Sequence, residues 1–204
     1  YLMFNIFKEL FLPERPLPEE PDVERRQFFR EIFHSATDLV KELAKEKVGT
    51  RRYLRPPGAV EELTFNTLCT RCDECIKVCP HMAIRGAGPD MGLALGSPII
   101  VLREKPCYLC EDFPCIKACK EGALLMPAKR EEVRMGLATI DKEKCIAGGF
   151  INCQSCVIAC PIVGAIEMIE GRPVIHEELC TGCGICETAC LTVNNACAIR
   201  VRPL

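Results

Sequence analysis

The sequence predicts an α+β protein made of four copies of a short cysteine-containing repeat, preceded by a mainly helical N-terminal extension. Cysteine accounts for 17 of the 204 residues, and none lies in the first 68. Sixteen of them form four groups of four whose first members recur every 35 to 38 residues, and such a period marks an internal repeat. Short β-branched runs separate the groups, whereas the first 48 residues show apolar positions at helical spacing.

The overall composition is that of an ordinary globular chain. Hydrophobic residues make up 49% and charged residues 26%, and the net charge is −2. This near-neutral balance gives no reason to expect a nucleic-acid partner. No apolar run approaches the roughly 20 residues that a membrane span requires, so the chain is not expected to cross a bilayer by itself.

Residues 1–48 are predicted to form a docking arm followed by an amphipathic helix. Residues 2–12 are strongly apolar, and the four prolines between positions 13 and 21 predict an extended linker, because each fixes φ and removes a donor. Asp22 is a candidate N-cap and Gly49 a candidate stop for the helix. The helix could pack on the cysteine domain or hold a partner subunit, and its periodicity does not distinguish the two.

Residues 49–204 repeat one order of elements. β-branched runs at 99–102 and 137–140, and the residues around the Glu170-Gly171 turn signal, predict short strands and hairpins before the later cysteine groups. The three residues between the third and fourth cysteines of each group suit one or two helical turns. The predicted unit is therefore a strand, a cysteine loop, a short helix and a strand.

The cysteine spacing indicates four [4Fe–4S] clusters. The first and fourth groups have the spacing C-x2-C-x2-C-x3-C of bacterial ferredoxins, in which the fourth cysteine ligates the other cluster of a pair. The second group widens the gap between Cys110 and Cys115, and the third widens the gap between Cys145 and Cys153, but both keep the C-x3-C ending. The candidate ligands are Cys69, Cys72, Cys75 and Cys79; Cys107, Cys110, Cys115 and Cys119; Cys145, Cys153, Cys156 and Cys160; and Cys180, Cys183, Cys186 and Cys190.

Other uses of cysteine fit this pattern less well. Zinc motifs usually pair two C-x2-C hooks that a dozen or more residues separate, and an odd number of closely spaced cysteines is unsuited to a disulfide framework. Cys197 stands alone and is expected to be a small buried hydrophobe. An enzyme with a hidden catalytic centre is a further alternative, but the glycine-rich stretch at 86–92 lacks the G-x-G-x-x-G spacing, so no catalytic residue is predicted.

The four ordered groups resemble the MauM/NapG family of ferredoxin-type proteins. The matching stretches are Cys69–Pro80, Cys107–Cys119, Cys145–Pro161 and Cys180–Cys190, and the resemblance covers about residues 50 to 204. It implies four [4Fe–4S] clusters and electron transfer between a quinol-oxidising membrane partner and a soluble acceptor. Four-cluster subunits of molybdenum and tungsten oxidoreductases look similar, so the partner could instead be such a catalytic subunit.

The resemblance to four-cluster subunits also implies a nested pair of ferredoxin-like units. The outer unit would comprise about residues 60–98 and 162–204, and the inserted unit about residues 99–161. Ligands would then be exchanged between the first and fourth groups and between the second and third. Cys190 would complete the cluster of Cys69, Cys72 and Cys75, and Cys79 that of Cys180, Cys183 and Cys186; Cys160 would join Cys107, Cys110 and Cys115, and Cys119 would join Cys145, Cys153 and Cys156.

The predicted function is that of an electron-transfer subunit, which relays single electrons between a catalytic oxidoreductase subunit and a redox partner. One alternative is a periplasmic ferredoxin that receives electrons from a quinol dehydrogenase and passes them to a terminal reductase. Another is a zinc-based interaction module.

Arg25–Phe29 has the look of a twin-arginine signal, but eight charges in residues 30–47 replace the apolar region that should follow. A cytoplasmic location is therefore expected, with a periplasmic one, membrane-associated through a partner, as the alternative. The apolar arm is expected to hold the redox partner or a neighbouring copy of the chain.

Overall fold

The computed structural model describes residues 53–149 and 151–204. This part contains all 17 cysteines. The arm and helix predicted for residues 1–48 lie outside the described residues, as does the arginine pair at 25–26. None of the helices in the described part combines the length and the apolar character that crossing a bilayer requires.

The described chain mixes short helices and short strands, as predicted. The helices are α1 (Glu62–Leu68), α2 (Glu74–Lys77), α3 (Pro114–Lys117), α4 (Ser155–Ala159) and α5 (Ile185–Val193), and the strands are β1 (Ile84–Gly86), β2 (Pro98–Ile100), β3 (Gly136–Ile140), β4 (Ile166–Ile169), β5 (Arg172–Ile175) and β6 (Ile199–Pro203). Single 3₁₀ segments lie at Pro89–Ala94 and Arg130–Glu132. The helical turns expected before each fourth cysteine are present as α2, α3, α4 and α5, and α5 continues past Cys190.

Consecutive repeats form the two halves of the molecule. In the first half, residues 53–127, β1 and β2 form an antiparallel hairpin between the first two cysteine groups, and an isolated bridge joins Ala59 to Leu124. In the second half, residues 133–204, β4 and β5 form the equivalent hairpin, and β3 pairs with β6 in antiparallel register from Gly136–Pro203 to Ile140–Ile199. In each half, the segment before the first group therefore pairs with the segment after the second group.

The nested arrangement predicted for residues 60–98 with 162–204 around 99–161 is therefore wrong. α2 packs against α3 and α4 packs against α5, so each helix meets the helix of the adjacent group in sequence. Pairing neighbours closes shorter loops than pairing the first group with the fourth, and shorter loops lose less conformational entropy on closure.

One hydrophobic core connects the halves. It contains Leu54, Phe65 and Leu109 from the first half together with Met135 and Ile162 from the second. A further core in the second half surrounds Ala138 and Ile199, which lie on the paired strands β3 and β6. The shared core fixes the halves to each other, which matters for the sites described next.

Candidate iron–sulfur sites

Four cavities are each lined by four cysteines. Each site is numbered by the cysteine group that supplies three of its thiols, and the fourth thiol is the last cysteine of the adjacent group. Site 1 has Cys69, Cys72, Cys75 and Cys119; site 2 has Cys107, Cys110, Cys115 and Cys79; site 3 has Cys145, Cys153, Cys156 and Cys190; and site 4 has Cys180, Cys183, Cys186 and Cys160. Within residues 53–149 and 151–204, no group of three or more His, Cys, Asp or Glu side chains is placed to hold a single metal ion.

The structure gathers all sixteen predicted cysteines at these sites but changes their partners. Cys190 was expected beside Cys69 and instead lines site 3, and Cys79 was expected beside Cys180 and instead lines site 2. Likewise, Cys119 lines site 1 and Cys160 lines site 4. The physical reason is that the fourth cysteine of each group lies on the short helix of that group or directly after it, and that helix packs on the helix of the adjacent group.

Left-handed backbone conformations shape the cysteine loops. Arg71 and Asp73 have φ values of 58° and 63° in the first group, and Leu109 and Phe113 have values of 47° and 42° in the second. A left-handed residue next to a right-handed one turns the neighbouring backbone N–H groups toward one side, a geometry that suits an anion. An iron–sulfur cluster with its four thiolates is such an anionic group, and N–H donors near its sulfurs tune its potential.

The fourth group uses glycine for the same purpose. Gly182 has a φ of 71°, and a Cβ there would lie 2.3 Å from the backbone of Gly136. Gly184 has a φ of 86°, and a Cβ there would lie 2.4 Å from Cδ2 of Leu102. Both positions combine a left-handed conformation with a close approach, which only glycine accommodates without displacing its neighbour.

Burial controls the protonation of the thiols. Desolvation, together with repulsion from neighbouring cysteines, raises the pKa of Cys75 and Cys115 to about 12. Desolvation likewise raises the pKa of Cys107 to about 12 and that of Cys156 to about 11. Without iron these thiols are therefore protonated at neutral pH, and since a thiolate is the metal ligand, iron has to displace the protons.

Repulsion between thiols of different sites contributes to several of these pKa shifts. The pKa of Cys75 at site 1 is raised by burial and also by Cys115 of site 2. The pKa of Cys107 at site 2 is raised by burial and also by Cys183 of site 4. The pKa of Cys186 at site 4 is raised by burial and also by Cys156 of site 3. The geometry carries the order of the sites. Sites 1 and 2 exchange their fourth cysteines, as do sites 3 and 4, and a backbone hydrogen bond joins site 2 to site 4. The sites therefore follow the order 1, 2, 4, 3.

The sites differ in their access to solvent. The cavity at site 1 has a volume of about 290 Å³, whereas those at the other three sites have about 20 Å³ each. Cys72 at site 1 is exposed, but Cys180, Cys183 and Cys186 at site 4 are all buried. Site 1 is thus the open end of the series, and site 4 lies inside the molecule.

A buried ion pair stabilises the wall of site 1. The Arg55 guanidinium donates to both carboxylate oxygens of Glu62 at 2.5 and 3.0 Å, and also to Ser97 Oγ at 2.6 Å and Pro98 O at 2.9 Å. It lies 4.3 Å from the centre of the Phe65 ring, which lines site 1 together with Pro98. The pair fixes α1 against β2. Sequence reasoning missed it, because tertiary contact alone brings these residues together.

Two further contacts support the other sites. The rings of His81 and Tyr108 stack at a centroid distance of 4.2 Å, and both line site 2. Buried Glu187 lies on α5 and accepts hydrogen bonds from Arg200 Nη1 at 3.0 Å and from the Val201 N–H at 2.8 Å. It attaches α5, which carries Cys186 and Cys190, to β6. Tyr108 and Glu187 carry no sequence signal.

Comparison with known proteins identifies the same chemistry. The family described as 4Fe-4S dicluster domain matches residues 151–194, and the family described as 4Fe-4S binding domain matches residues 65–85. The ferredoxin-type protein NapG of Escherichia coli is 35% identical over 91% of this chain and 88% of its own length. The methylamine utilization ferredoxin-type protein MauM is 42% identical in Paracoccus denitrificans, over 74% of this chain and 72% of its own, and 34% identical in Methylophilus methylotrophus, over 91% and 89%.

Proposed function

Because this chain belongs to the NapG and MauM family of ferredoxin-type proteins and is an iron–sulfur electron-transfer protein, we propose that it carries four [4Fe–4S] clusters. It relays single electrons between a catalytic oxidoreductase subunit and a redox partner. The observation that supports this proposal is the set of four cavities, each with three thiols from one loop and a fourth from the adjacent group.

The residues at each site fit a [4Fe–4S] cluster. Such a cluster takes four cysteine thiolates, and each site offers four. Fe–S bonds are shorter than van der Waals contacts, so a covalently held cluster needs less free space than an unbound ligand of equal size. The left-handed loops add N–H donors suited to an anion.

The cluster supplies reversible one-electron chemistry, and the protein supplies its position and surroundings. Cysteines of sites 1, 2 and 4 pack in the shared core, and those of site 3 pack in the core of the second half, so each site has a fixed place. The buried thiols at site 4 exclude water, whereas exposed Cys72 leaves site 1 open to a partner. This arrangement suits a relay, which requires a fixed series of sites and an accessible end.

Metal analysis of the anaerobically purified chain tests the cofactor content. We expect about sixteen irons and sixteen acid-labile sulfides per chain, because each [4Fe–4S] cluster contributes four of each. Electron paramagnetic resonance (EPR) of the dithionite-reduced protein should show several interacting iron–sulfur signals. Protein that holds only zinc, or fewer than three clusters, would refute the proposal.

The partner and the location are proposed from the family and from the sequence. We expect a catalytic oxidoreductase subunit or a membrane quinol dehydrogenase to co-purify with the native protein, and we place the chain in the cytoplasm. Molybdenum and tungsten analysis of the complex, together with a quinol oxidation assay, distinguishes the two partners. Recovery of the native protein in the periplasmic fraction would support the alternative of a periplasmic ferredoxin.

A further inference from the structure

We propose that the backbone contact between Cys107 and Cys183 is the crossing by which electrons pass between the two halves of the molecule. This inference rests on the proposed function, because it assumes that the sites hold clusters. It assigns a positioning role to the residues that form the contact, and it makes sites 1 and 3 the outer ends of the relay.

The contact joins a ligand position of site 2 directly to one of site 4. The N–H of Cys107 donates to the carbonyl of Cys183 at 2.9 Å. Each residue also presents its thiol to its own site. A short run of covalent bonds, interrupted by one hydrogen bond, therefore connects the sulfur atoms of the two sites. Cys107 belongs to the first half and Cys183 to the second.

The surroundings of the contact are dry and closely packed. Cys107 is 8% exposed and Cys183 is 6% exposed, and both belong to the core that the halves share. Leu102 and Met135 belong to the same core. Because the site is preorganised and water is excluded, little solvent has to reorient when charge moves across the contact.

The crossing requires no chemistry beyond the movement of one electron. The site that gives up the electron is oxidised, the site across the contact is reduced, and the summed charge of the two sites is unchanged. No proton moves, and no bond to a substrate forms or breaks. A reductant such as dithionite, or the electron-donating partner, supplies the electron at an outer site.

Gly184 offers a direct way to disturb the contact. It follows Cys183 in the chain, and a Cβ at this position would lie 2.4 Å from Cδ2 and 2.9 Å from Cδ1 of Leu102, in the opposite half. Gly184→Ala must therefore displace either Leu102 or the backbone that presents the Cys183 carbonyl. The matched control is Gly122→Ala, which has a similar φ of 71° and lies near Cys119 but has no atom within 4 Å of its added Cβ. Both substitutions place a Cβ on a residue in the left-handed conformation, and only Gly184→Ala also brings that Cβ too close to a neighbouring side chain.

The test measures iron content and electron equilibration between the halves after photoreduction. Because Gly184 also lines site 4, rates are compared only between preparations that hold sixteen irons per chain. Equilibration should be about tenfold slower or more in Gly184→Ala and unchanged in Gly122→Ala, because small displacements at a transfer geometry have large rate effects. The double variant Gly184→Ala with Leu102→Ala removes the side chain that the added Cβ would meet, so its equilibration rate should return close to that of the wild type.

A second variant tests the order of the sites even if Gly184→Ala fails to fold. Cys110→Ala removes a thiol of site 2 and leaves the Cys107 backbone in place. In fully reduced protein, site 1 should then lose its magnetic neighbour and give an isolated EPR signal, while sites 3 and 4 still interact. The inference is overturned if the EPR signal of site 1 still shows an interaction, or if folded Gly184→Ala equilibrates at the rate of Gly122→Ala. In either case, a content of four clusters would still support the proposed function. Fewer than three clusters in the wild type would refute both.

Discussion

Cys190 and Cys197 are chemically identical side chains that the structure uses differently. Cys190 lies on α5 and presents its thiol to site 3. Cys197 is 2% exposed and has a φ of 43°, and its Sγ lies 3.2 Å from the carbonyl oxygen of Ile199. It is not among the residues that line the four cavities. It packs as a small buried side chain, in the way that its isolated position in the sequence predicts.

We therefore expect Cys197→Ala and Cys190→Ala to have different effects on iron content. Cys197→Ala should retain all of the iron and lose about 1 kcal/mol of stability, because a small buried group is removed. Cys190→Ala should lose about four irons per chain, because site 3 then has three thiols. Iron analysis and the denaturant midpoint of the anaerobic protein measure both effects. Loss of iron from Cys197→Ala would show that its thiol is a ligand.

The Arg55–Glu62 pair gives a second prediction for single residues. The side chains are only 2% and 4% exposed, so Glu62→Gln leaves the Arg55 charge buried without its partner. Removing one member of a buried pair typically costs about 3 to 5 kcal/mol. We expect a marked fall in the denaturant midpoint and faster loss of the visible absorbance of site 1, whose wall the pair supports.

The control for this substitution is Glu74→Gln, which removes the carboxylate of an exposed pair with Lys77. The side chains of that pair are 50% and 63% exposed, and solvent screening leaves such pairs little net effect. The midpoint of Glu74→Gln should stay at the wild-type value. Equal effects of the two substitutions would mean that burial does not strengthen the Arg55–Glu62 interaction.

At the scale of elements, the short helices determine which cysteines meet. α2 ends at Lys77, shortly before Cys79, and its packing on α3 brings that cysteine to site 2 rather than to its own loop. In the second half, α4 and α5 are related in the same way, which places Cys160 at site 4. Each pair of helices therefore acts as one unit that exchanges two ligands.

Double substitutions provide a direct test of this exchange. Cys119 and Cys72 line the same site, so Cys119→Ala with Cys72→Ala should lose about the same four irons as either single variant. Cys119 and Cys153 line different sites, so Cys119→Ala with Cys153→Ala should lose about eight. Iron analysis of the single and double variants measures the difference. The nested order predicts the opposite, with about eight irons lost from the first double variant and about four from the second.

Local sequence signals predict the elements but not their partners. The β-branched run at 137–140 is found as β3, and the Glu170-Gly171 signal is found as the turn between β4 and β5. The regular cysteine spacing predicts which thiols gather at the sites. It could not reveal the direction in which each fourth cysteine leaves its helix, since that depends on tertiary packing. One further signal could have indicated that neighbouring groups pair. Apolar and charged residues alternate in β6, as expected for a strand, and in the structure β6 pairs with β3.

At the scale of the whole molecule, the shared core makes the two halves a single body. Val133 and Met135 come from the second half, yet both pack in the core that contains Leu54 and Phe65. In the proposed relay, the hydrogen bond between Cys107 and Cys183 makes sites 2 and 4 the pair that connects the halves. An electron that enters this proposed relay at site 1 would therefore cross from the first half to the second before it reaches site 3.

The N-terminal arm gives the prediction that concerns assembly. Residues 1–22 contain no cysteine, and all 17 cysteines lie in the described part of the chain. Residues 2–12 are strongly apolar in sequence, and from this composition we predict that they bind another surface. Deleting residues 1–22 should therefore leave the iron content and the EPR signals unchanged but weaken binding to the redox partner, as measured by co-purification.

A matched variant separates the apolar side chains from the length of the arm. Phe4, Phe7 and Phe11 lie in the apolar segment, and their replacement by Ser keeps all 22 residues while removing the aromatic side chains of residues 2–12. This variant should weaken assembly as much as the deletion does, because hydrophobic contact scales with the apolar area that is buried. If either variant loses iron, the arm belongs to the fold of the cluster domain. If both bind the partner as tightly as the full chain does, the arm is not the tether, and residues 23–204 hold the partner.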